Sequence, residues 1–595
     1  MGRGETREEG APACQAALRQ PAGGLTLTVW AGETSAMSLP LIAGVFLVLL
    51  ALGYHFYGGF LARQFRLDAG SRTPAYEKED GVDFVPTRPF YLLGQHFSAI
   101  AAAGPIAGPI LAAQQFGWLP ALLWISFGVV FIGAMHDLAT LIASVRHGGT
   151  SIAEVVRTHL GPRAGLAMMA FIWVALIYVI VAFTDATAST FVSGDAEMEG
   201  LTFRFNPGGA VAAASLMYLG LAVMMGLVDR FLKPPLWLQT LIFVPATLGA
   251  VWLGTQLSTV LLLDARTWAI LILAYCLVAS LTPVWVLLQP RGYLGGFVLY
   301  AALGVGTVGL FFGDFAIAQP AFKGFSVPGT SGALFPFLFV TIACGACSGF
   351  HGLVCSGTTS KQISKETHCH PVGYGAMLLE GFVAVIALAT VMVASAGDLA
   401  GKAPGAVYGA GLGRFLVTMI GEEHLMFAVT FGAMAFSTFV FDTLDVSTRL
   451  GRYILQELVG AKGPAAAFLA TLVTCAVPLA FALLAGPGAW RSFWTLFGTS
   501  NQLLAALSLL GICVWLKKSG RTYVWALLPM CFVSVVTLVS LVLQVRDALF
   551  LPQAAAVVRV NGGVAAVLLV LALALFTLGA RVLLGREGGR PAPAV

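Results

Sequence analysis

The sequence predicts an all-α protein whose helices cross a membrane many times. Charged residues make up only 10% of the 595 residues, whereas an ordinary soluble domain contains about 25%. Apolar residue types make up 58%, and they form long continuous runs instead of the short alternating strands of a membrane barrel. Polar residues would be too scarce to cover a soluble core of this composition. A polytopic helical membrane protein follows, and no large soluble domain is visible.

About fifteen apolar stretches are long enough to span a bilayer as helices. Two of them are interrupted, one by glycine and proline and the other by several glycines, and the stretch at 334–357 is alternatively a re-entrant segment. The approximate bounds are 39–60, 93–116, 118–144, 164–187, 209–229, 236–258, 267–289, 294–316, 334–357, 372–397, 425–445, 464–486, 493–516, 522–545 and 563–585.

The distribution of basic residues favours one orientation of these spans. If the amino terminus is placed outside and the spans alternate, 22 of the 33 Lys and Arg residues fall in inner connections. Every inner connection then carries at least one basic residue, as the positive-inside rule requires. We therefore expect an odd number of spans and a cytoplasmic carboxyl terminus. The dispersed positive charge is explained by topology, so nucleic acid is not an expected partner.

Residues 1–36 do not share the composition of the spans. They mix several charges with Cys14 and Pro21, and they contain no sustained apolar run. This pattern matches neither a secretory signal peptide nor a packed domain. We expect a disordered leader or a non-native extension, and the start of translation is either Met1 or Met37.

An apolar segment that interrupts itself at Gly104, Pro105, Gly108 and Pro109 is the clearest functional signal. The prolines remove backbone donors, and the glycines loosen the helix. The freed carbonyls survive at membrane depth only where protein or a watery cavity solvates them, and interrupted helices line the solute and ion sites of secondary transporters. We predict such a site here, with His96 as a candidate proton carrier. The alternative is a packing kink with His96 bonded to a neighbour.

A second interruption lies at 337–361, where glycines alternate with Ser348, His351, Thr358 and other hydroxyl side chains. Small residues allow close helix approach, and hydroxyl groups can replace lost backbone hydrogen bonds. Two interrupted helices far apart in the sequence are typical of a duplicated transporter core. No residue-level repeat is visible, so the duplication is a hypothesis.

Cysteines in the same segment raise the alternative of a zinc site. Cys344 and Cys347 form a C-x-x-C pair, Cys355 follows, and His368 and His370 lie in the next loop. This spacing permits a metal site. The C-x-x-C pair lies inside an apolar span, however, and no second ligand pair of familiar spacing follows. We expect thiols that pack as small residues, with neither a bound metal nor a cofactor.

Five carboxylates lie within or near the predicted spans: Asp137, Asp185, Glu380, Asp442 and Asp445. Ionisable groups are costly at membrane depth, so they usually face a cavity or a partner. Asp137 follows His136, and Glu380 lies about two turns into its span. For these two we weigh ion or proton handling against structural hydrogen bonding. Asp185 is placed near the outer surface.

Several other polar positions have a structural alternative. Asp442 and Asp445 close a span and either take part in ion coupling or pair with Arg449 or Arg452 at the inner side. Asn501 lies in an amide and hydroxyl segment that binds solute or holds a neighbouring helix. Arg291 follows Gln289-Pro290, and we interpret it as an anchor at a structural corner of the inner face.

Soluble catalytic motifs are absent from the sequence. There is no Walker A sequence, no G-x-S-x-G elbow and no H-E-x-x-H. A fused ATP-driven domain is therefore excluded, and an enzyme is disfavoured. An intramembrane enzyme built on His351 and the cysteines is the remaining enzymatic alternative.

Several long stretches together resemble the carbon starvation protein family, CstA. They include DGVDFVPTRPFYLLGQHFSAIAAAGPIAGPILAAQQFGWLPALLW, GAMHDLATLIASVRHGGTSIAEV and FPFLFVTIACGACSGFHGLVCSGTTSKQI. The resemblance extends from about residue 39 to beyond residue 510. The stretches lie at 80–124, 133–155, 283–297, 335–363, 372–381 and 496–509.

The resemblance implies a bacterial inner-membrane transporter linked to nutrient limitation, a stress response. It implies uptake of peptides or pyruvate, coupled to H⁺ with Na⁺ as the alternative. It also implies a LeuT-like inverted-repeat core of the amino acid–polyamine–organocation superfamily. Within this sequence, we expect the transporter core at 37–520 and carboxyl-terminal helices with a short cytoplasmic tail at 521–595.

We therefore predict a secondary active transporter that imports a small carboxylated nutrient. A nutrient sensor or channel-like protein without concentrative transport is the alternative. The residues expected to line the substrate site are Gly104, Pro105, Gly108, Ser348, His351, Thr358 and Asn501. The residues expected to handle the coupling ion are His96, Asp137, Glu380 and Asp442.

Overall fold

A computed structural model describes residues 38–585, except 82, 102, 193–204, 328–331, 485–489 and 552–554. The expected leader at 1–36 therefore lies outside the described residues. So do the acidic stretch that contains Asp195, Glu197 and Glu199 and the end of the expected tail, with Arg586 and Arg590. The described chain is helical, and its extended pairing is limited to two isolated bridges.

Among the described residues, the first half of the chain contains eleven helices, which we number in chain order. They are α1 (Leu39–Phe65), α2 (Pro74–Glu77), α3 (Pro89–Ile100), α4 (Gly104–Phe116), α5 (Trp118–Arg146), α6 (Ile152–Leu160), α7 (Pro162–Phe191), α8 (Pro207–Phe231), α9 (Leu236–Gln256), α10 (Ala265–Leu281) and α11 (Leu288–Phe312).

The second half continues with ten more helices among the described residues. They are α12 (Leu334–Thr341), α13 (Gly349–Gly357), α14 (Glu366–Met392), α15 (Ala396–Leu399), α16 (Pro404–Ile420), α17 (Glu422–Val459), α18 (Pro464–Leu484), α19 (Trp490–Lys518), α20 (Val524–Phe550) and α21 (Ala556–Leu584).

Twelve helices in the described part of the chain are long and apolar enough to cross a membrane, and the bent pair α3 and α4 brings the number to thirteen. The expected count of fifteen is not confirmed. The stretch at 267–289 ends early because α10 has only 17 residues, and 334–357 is divided into the short α12 and α13. In addition, α16 is a 17-residue helix in a stretch where no span was expected.

Local sequence signals set several helix ends. Asn206 accepts a hydrogen bond from the amide of Gly209 (2.8 Å), and Asp264 accepts one from the amide of Thr267 (2.7 Å). These side chains satisfy amides that lack an intrahelical partner at the start of α8 and α10. At the α4–α5 junction, Gly117 has a φ of +93°, which a residue with a Cβ rarely adopts. The chain can therefore reverse there without a long loop.

The helix α19 lies at the centre of the fold. The apolar window of its span is completely buried by other helices, and it packs against α7, α13, α20 and α21. The peripheral α9, α18 and α21 bury only 28% of their windows. A buried helix can carry polar side chains inward, which is where Asn501 and Gln502 lie.

The two ends of the helix bundle are recognised from α5. Its first residue, Trp118, donates its indole N–H to the carbonyl of Gln319, close to Lys323. Its last residue, Arg146, pairs with Glu366 (2.6 Å). A helix of 29 residues is about 44 Å long, so these contacts lie at opposite ends. We call them the Lys323 end and the Arg146 end.

Candidate ion and solute site at two helix breaks

Both interrupted segments are broken in the structure, and their breaks lie against each other. The axes of α3 and α4 meet at 46°. The chain between α12 and α13 is not helical over 342–348. A Cβ on Gly108 would lie 2.7 Å from the carbonyl oxygen of Thr341, and one on Gly104 would overlap the side chain of Cys344. Glycine is therefore required where α4 crosses the second break.

Side-chain donors satisfy the carbonyls that the second break leaves without helical partners. Unpaired carbonyls at this depth would each cost several kcal/mol. Protein groups therefore solvate this backbone. The pairs are Gln502 with the carbonyl of Phe339 (2.8 Å), Trp494 with Thr341 (3.1 Å) and Trp124 with Ile342 (3.1 Å).

Asn501 connects the central helix α19 to the amino end of α13. Its Oδ1 accepts hydrogen bonds from the amide of Phe350 (2.9 Å) and from the hydroxyl of Ser348 (3.3 Å). Its Nδ2 lies 3.1 Å from the thiol sulfur of Cys344 and 3.1 Å from the hydroxyl oxygen of Ser348. Asn501 therefore holds the second break in place, as expected if it holds a neighbouring helix. It also lies next to the break where the substrate site was expected.

Next to the breaks, the imidazole of His351 lies between two buried carboxylates. Its Nδ1 is 2.9 Å from Oδ2 of Asp137 on α5, and its Nε2 is 3.2 Å from Oε2 of Glu380 on α14. All three side chains have no solvent exposure. The contact between His351 Nε2 and Glu380 Oε2 is close but is not aligned as a hydrogen bond. Neither of these two atoms has a hydrogen-bond partner among the described residues. We call Asp137, His351 and Glu380 the buried triad.

The triad is tied directly to the second break. The other oxygen of Glu380, Oε1, accepts a hydrogen bond from the amide of Gly345 (3.1 Å). Gly345 lies in the non-helical linker between α12 and α13 and has a φ of +60°. Glu380 lies near the middle of the 27-residue α14. The charge of the triad is therefore coupled to the conformation of the break.

Two further histidines flank the triad. His136 Nδ1 lies 2.8 Å from Oδ1 of Asp137, and its Nε2 is buried without a partner within the described ranges. His96 Nδ1 lies 2.9 Å from the hydroxyl of Thr359, and its Nε2 is 3.7 Å from the sulfur of Cys355. The thiol of Cys355 donates to the carbonyl of Asp137 (3.5 Å). Side-chain contacts thus join His96 on α3 to Cys355 on α13, and Cys355 contacts the backbone of Asp137, whose carboxylate belongs to the triad.

This arrangement can hold and move a proton. An imidazole between two carboxylates accepts a second proton readily, since an imidazolium there would face a negative charge on each side. Buried ionisable groups inside a membrane bundle usually mark an ion or proton path. The geometry therefore allows an imidazole–imidazolium change that alters the contacts of Asp137 and Glu380.

The predicted residues are placed differently with respect to this site. The structure brings His96, Asp137, His351 and Glu380 together. Gly104 and Pro105 begin α4 at the first break, and Ser348 lies in the second break. Gly108 on α4 and Asn501 on α19 pack against the second break. Thr358 lies at the end of α13, where its hydroxyl donates to the carbonyl of Val354 (3.1 Å). Asp442 lies in a separate cluster. The sequence analysis did not select Thr359 or the aromatic donors Trp124 and Trp494.

Arg291 forms the centre of that second cluster. Its guanidinium pairs with Asp442 (2.6 Å) and with Asp445, and its side chain has no exposure. Arg291 thus lies in the first turn of α11, beside the expected structural corner, but its side chain is buried between two carboxylates. Pairing of the two aspartates with Arg449 or Arg452 is also not observed within the described residues, since those guanidinium groups donate to backbone carbonyls at the end of α10. Charges that are removed from water need a partner of opposite sign, and the two aspartates share Arg291 as that partner.

A cavity of about 700 Å³ opens at the Lys323 end. Gln114, Lys323, Arg491 and Trp494 contribute to its lining, and Thr341 at the second break also borders it. None of the seven residues predicted for the substrate site lines this cavity. The cavity instead ends at Thr341, next to the second break, where the Trp494 indole donates a hydrogen bond to the Thr341 carbonyl.

The structure also shows the partners of Asp185 and of the residues considered for a zinc site. Asp185 accepts a hydrogen bond from the amide of Trp490 (2.5 Å) at the start of α19, so it has a helix-capping role. His368 contacts the hydroxyl of Ser364 (3.0 Å), while Cys344 contacts Asn501. Over the described ranges, no group of three or more His, Cys, Asp or Glu side chains has an arrangement that could hold a metal ion.

Comparison with known proteins gives consistent matches. The family model described as "Carbon starvation protein CstA" matches residues 36–406 and 394–540. "Peptide transporter CstA" of Bacillus subtilis is 33% identical over 579 residues, which cover 88% of this chain and 93% of that protein. "Peptide transporter CstA" of Campylobacter jejuni is also 33% identical, over 84% of this chain and 80% of that protein.

Another relative carries a different name. "Pyruvate/proton symporter BtsT" of Escherichia coli is 30% identical over 586 residues, which cover 83% of this chain and 79% of that protein. Among solved structures, a mutant of the Eremococcus coleocola manganese transporter matches 83% of this chain and 94% of that chain. Its TM-score is 0.40 at 14% identity, too low to support an argument.

Proposed function

The chain belongs to the carbon starvation protein CstA family, and we propose that it is a proton-coupled secondary transporter that imports a small carboxylated nutrient, a peptide or pyruvate. The observation that carries this proposal is the buried triad, in which His351 lies between Asp137 and Glu380. Glu380 also binds the broken backbone at Gly345. A proton bound at the triad would therefore change the forces on the same segment that contacts α4.

The coupling works through charge at the triad. When His351 is singly protonated, two carboxylates share one neutral ring, and their repulsion is only partly relieved. A second proton gives an imidazolium that attracts both Asp137 and Glu380, which draws α5, α13 and α14 together. His96 supplies a further titratable group between the triad and Thr359. We propose these residues, with Asp442 in the second cluster, as the ion-handling groups.

The breaks provide groups suited to a carboxylate. The helices α4 and α13 begin at the two breaks, and the amide groups at a helix start favour negative charge. We propose that Gly104, Pro105, Gly108, Ser348, His351, Thr358 and Asn501 line the substrate site. Access requires the Trp494–Thr341 contact to open, because the cavity at the Lys323 end stops there.

The names of the relatives support both candidate cargoes. One relative is named as a peptide transporter and another as a pyruvate/proton symporter, and these are 33% and 30% identical to this chain. Both cargoes carry a carboxylate, so the helix starts at the breaks suit either. We propose a role in nutrient scavenging under carbon starvation, and H⁺ is preferred to Na⁺ because the triad is built of titratable groups.

We further propose a membrane placement and core. The Arg146 end carries Arg63, Arg66 and Arg521 as well, so we place it in the cytoplasm of a bacterial cell, with the amino terminus outside. The two facing breaks support an inverted-repeat core of LeuT-like type within 37–520. The helices α20 and α21 pack against α19, α20 also packs against α12, and we assign both helices to the carboxyl-terminal part at 521–595.

Uptake into proteoliposomes tests the proposal. Labelled pyruvate and labelled dipeptides are offered under an imposed inward pH gradient, an imposed sodium gradient, or neither. We expect accumulation with the pH gradient and its loss when a protonophore collapses that gradient. Asp137→Asn is expected to abolish accumulation, whereas Asp398→Asn, a matched change outside the spans, retains it. Equilibration without accumulation under every gradient would favour the channel-like or sensor alternative.

A further inference from the structure

In the second buried cluster, two carboxylates contact a single guanidinium group. Arg291 on α11 is shared by Asp442 and Asp445, which lie on α17. Arg291 has no side-chain exposure, Asp445 has 3% and Asp442 has 17%. Two carboxylates on one guanidinium leave an excess charge of −1 that is costly away from water. A bound proton or cation would remove that cost.

The two carboxylates are not held equally. Asp445 contacts Arg291 and also accepts a hydrogen bond from the hydroxyl of Tyr275 (2.8 Å). Arg449 lies one turn further along α17 and is fixed on the carbonyls of Ala279 and Thr282. Asp445 therefore has one cation, Arg291, and one hydroxyl donor, Tyr275, in direct contact.

Asp442 depends on a single charged partner. Arg291 contacts its Oδ1, while its Oδ2 faces Gly295, where a Cβ would lie only 3.0 Å away. The same space is bordered by the hydroxyl of Tyr218 (3.2 Å from that Cβ position) and by Thr438. The Thr438 hydroxyl is buried without a partner among the described residues. Asp442 is thus the more weakly held carboxylate, and polar groups adjoin its second oxygen.

The titratable and charged groups of this cluster come from four helices. Asp442 interacts with Tyr218 on α8, Arg291 on α11 and Asp445 on α17. Tyr275 and Cys276 on α10 and Arg449 on α17 interact with Asp445 instead. Among these groups, only Arg291 is a cation in contact with Asp442. The Tyr218 hydroxyl donates to the carbonyl of Arg291 (2.7 Å), so it is already committed. Asp445 repels the ionised form of Asp442, which favours protonation of Asp442.

We propose that Asp442 binds and releases a proton during each transport cycle, so that its contact with Arg291 breaks and forms while the Arg291–Asp445 contact persists. This inference rests on the proposed proton-coupled transport and adds a proton site separate from the buried triad. When Asp442 is protonated, Arg291 and Asp445 form a neutral pair and α11 is held to α17 by one ion pair. When Asp442 is ionised, the second pair draws α11 toward α17.

Comparison of coupled and uncoupled transport tests the inference. An inward gradient of one pH unit drives about tenfold accumulation for each coupled proton. We expect Asp442→Asn to lower the accumulation ratio of pyruvate about tenfold at that gradient. Exchange of labelled for unlabelled pyruvate at equal pH should persist, because asparagine resembles the protonated carboxyl. The substitution leaves the Arg291–Asp445 pair intact, so we expect a folded protein.

Control variants separate this outcome from a general defect. Asp398→Asn removes a carboxylate paired with Arg414 outside the spans and should leave the accumulation ratio unchanged. Asp445→Asn should impair folding more than Asp442→Asn, because it removes the charge of the more deeply buried of the two carboxylates that pair with Arg291. Should Asp442→Asn fail to fold, Asp442→Glu decides. A glutamate should keep pH-driven accumulation with a displaced pH profile, and an unchanged profile would overturn the inference.

The results also distinguish this inference from the proposed function. If the wild-type protein shows no pH-driven accumulation, the proposed function fails. If the wild type accumulates pyruvate and Asp442→Asn does so equally, the function stands and the role of Asp442 is refuted. Accumulation driven by a sodium gradient alone, and lost in Asp442→Asn, would overturn the proton assignment in favour of a sodium site.

Discussion

Glu380 and Gly345 are joined by a hydrogen bond of 3.1 Å between a buried carboxylate and the amide of a broken helix. The other oxygen of the same carboxylate faces His351 at 3.2 Å. One side chain therefore contacts both the titratable imidazole and the segment that must move if α4 and α12 separate. Because no exposed group intervenes, a change of charge at His351 acts on the break through a single residue.

Replacement of Glu380 should separate its two roles. Glu380→Gln keeps an oxygen that can accept from the Gly345 amide but removes the charge that faces His351. Glu380→Ala removes both and leaves a buried amide unpaired, which costs about 1–3 kcal/mol. We expect both variants to lose pH-driven accumulation, and only the alanine variant to lose much thermal stability. The measurements are uptake and the unfolding midpoint in detergent.

Equal loss of stability in the two Glu380 variants would contradict the hydrogen-bond role. Glu422→Gln provides a control, since Glu422 lies at the start of α17 outside the triad. Retention of full accumulation in Glu380→Gln would remove the carboxylate charge from the coupling mechanism while leaving its structural contact in place.

The contact between the two breaks gives a packing prediction. A Cβ on Gly104 would overlap the side chain of Cys344, so Gly104→Ala should displace α4 from the second break. Overpacking of this kind costs about 1–3 kcal/mol. We expect a lower unfolding midpoint together with reduced uptake. Gly44→Ala is the matched control, because a Cβ there has no atom within 4 Å. An unchanged midpoint in Gly104→Ala would contradict close packing of the breaks.

Much of the site could be predicted from local sequence because breaks have local causes. Pro105 is tolerated in the first turn of a helix but not in its interior, and the helix indeed breaks before Gly104. Gly108 and Pro109 lie inside α4 and do not interrupt it. The cluster of glycine and hydroxyl residues near Ser348 marks the second break. Both segments are broken in the structure. Their mutual contact was expected only from the analogy with duplicated transporters.

The partners of individual side chains could not be predicted in the same way. Asp137 and His351 are 214 positions apart, and Arg291 and Asp442 are also distant, so no local pattern reports their contact. Proximity in sequence instead suggested Arg449 for Asp445, which the structure does not show. The count of fifteen spans is not confirmed for a related reason, because α10 is one short helix and α12 and α13 are short helices on either side of a break.

A pair of histidines outside the spans should make stability depend on pH. His147 Nε2 lies 2.8 Å from His159 Nε2, and His147 Nδ1 donates to the carbonyl of Ala143 (2.6 Å). His159 must therefore donate to a neutral His147. Burial, aided by His147 and Lys518, lowers the pKa of His159 to about 4. Burial also lowers the pKa of His147.

The sign of this effect follows from linkage. The unfolded chain, with a histidine pKa of about 6.5, binds more protons than the folded protein at pH 5. The pair therefore contributes its full stability above about pH 6.5, and that contribution is lost as the pH falls toward about 4. We expect His159→Gln to reduce the difference between unfolding midpoints at pH 7.5 and pH 5. The control is His55→Gln, at an exposed position, which should leave the difference between the two midpoints as it is in the wild type. If His159→Gln also leaves that difference at the wild-type value, the histidine pair does not cause the pH dependence of stability.

The imidazole of His96 provides the last prediction, because it connects α3 to the triad. It contacts the Thr359 hydroxyl and the Cys355 thiol, which in turn donates to the carbonyl of Asp137. If His96 carries a coupled proton, His96→Ala should abolish concentrative uptake while the folded protein remains in the membrane. His96→Asn retains a polar contact to Thr359 without titrating, so it should restore stability but not accumulation. Wild-type accumulation in either variant would exclude His96 from proton transfer and leave it the structural role of joining α3 to the end of α13.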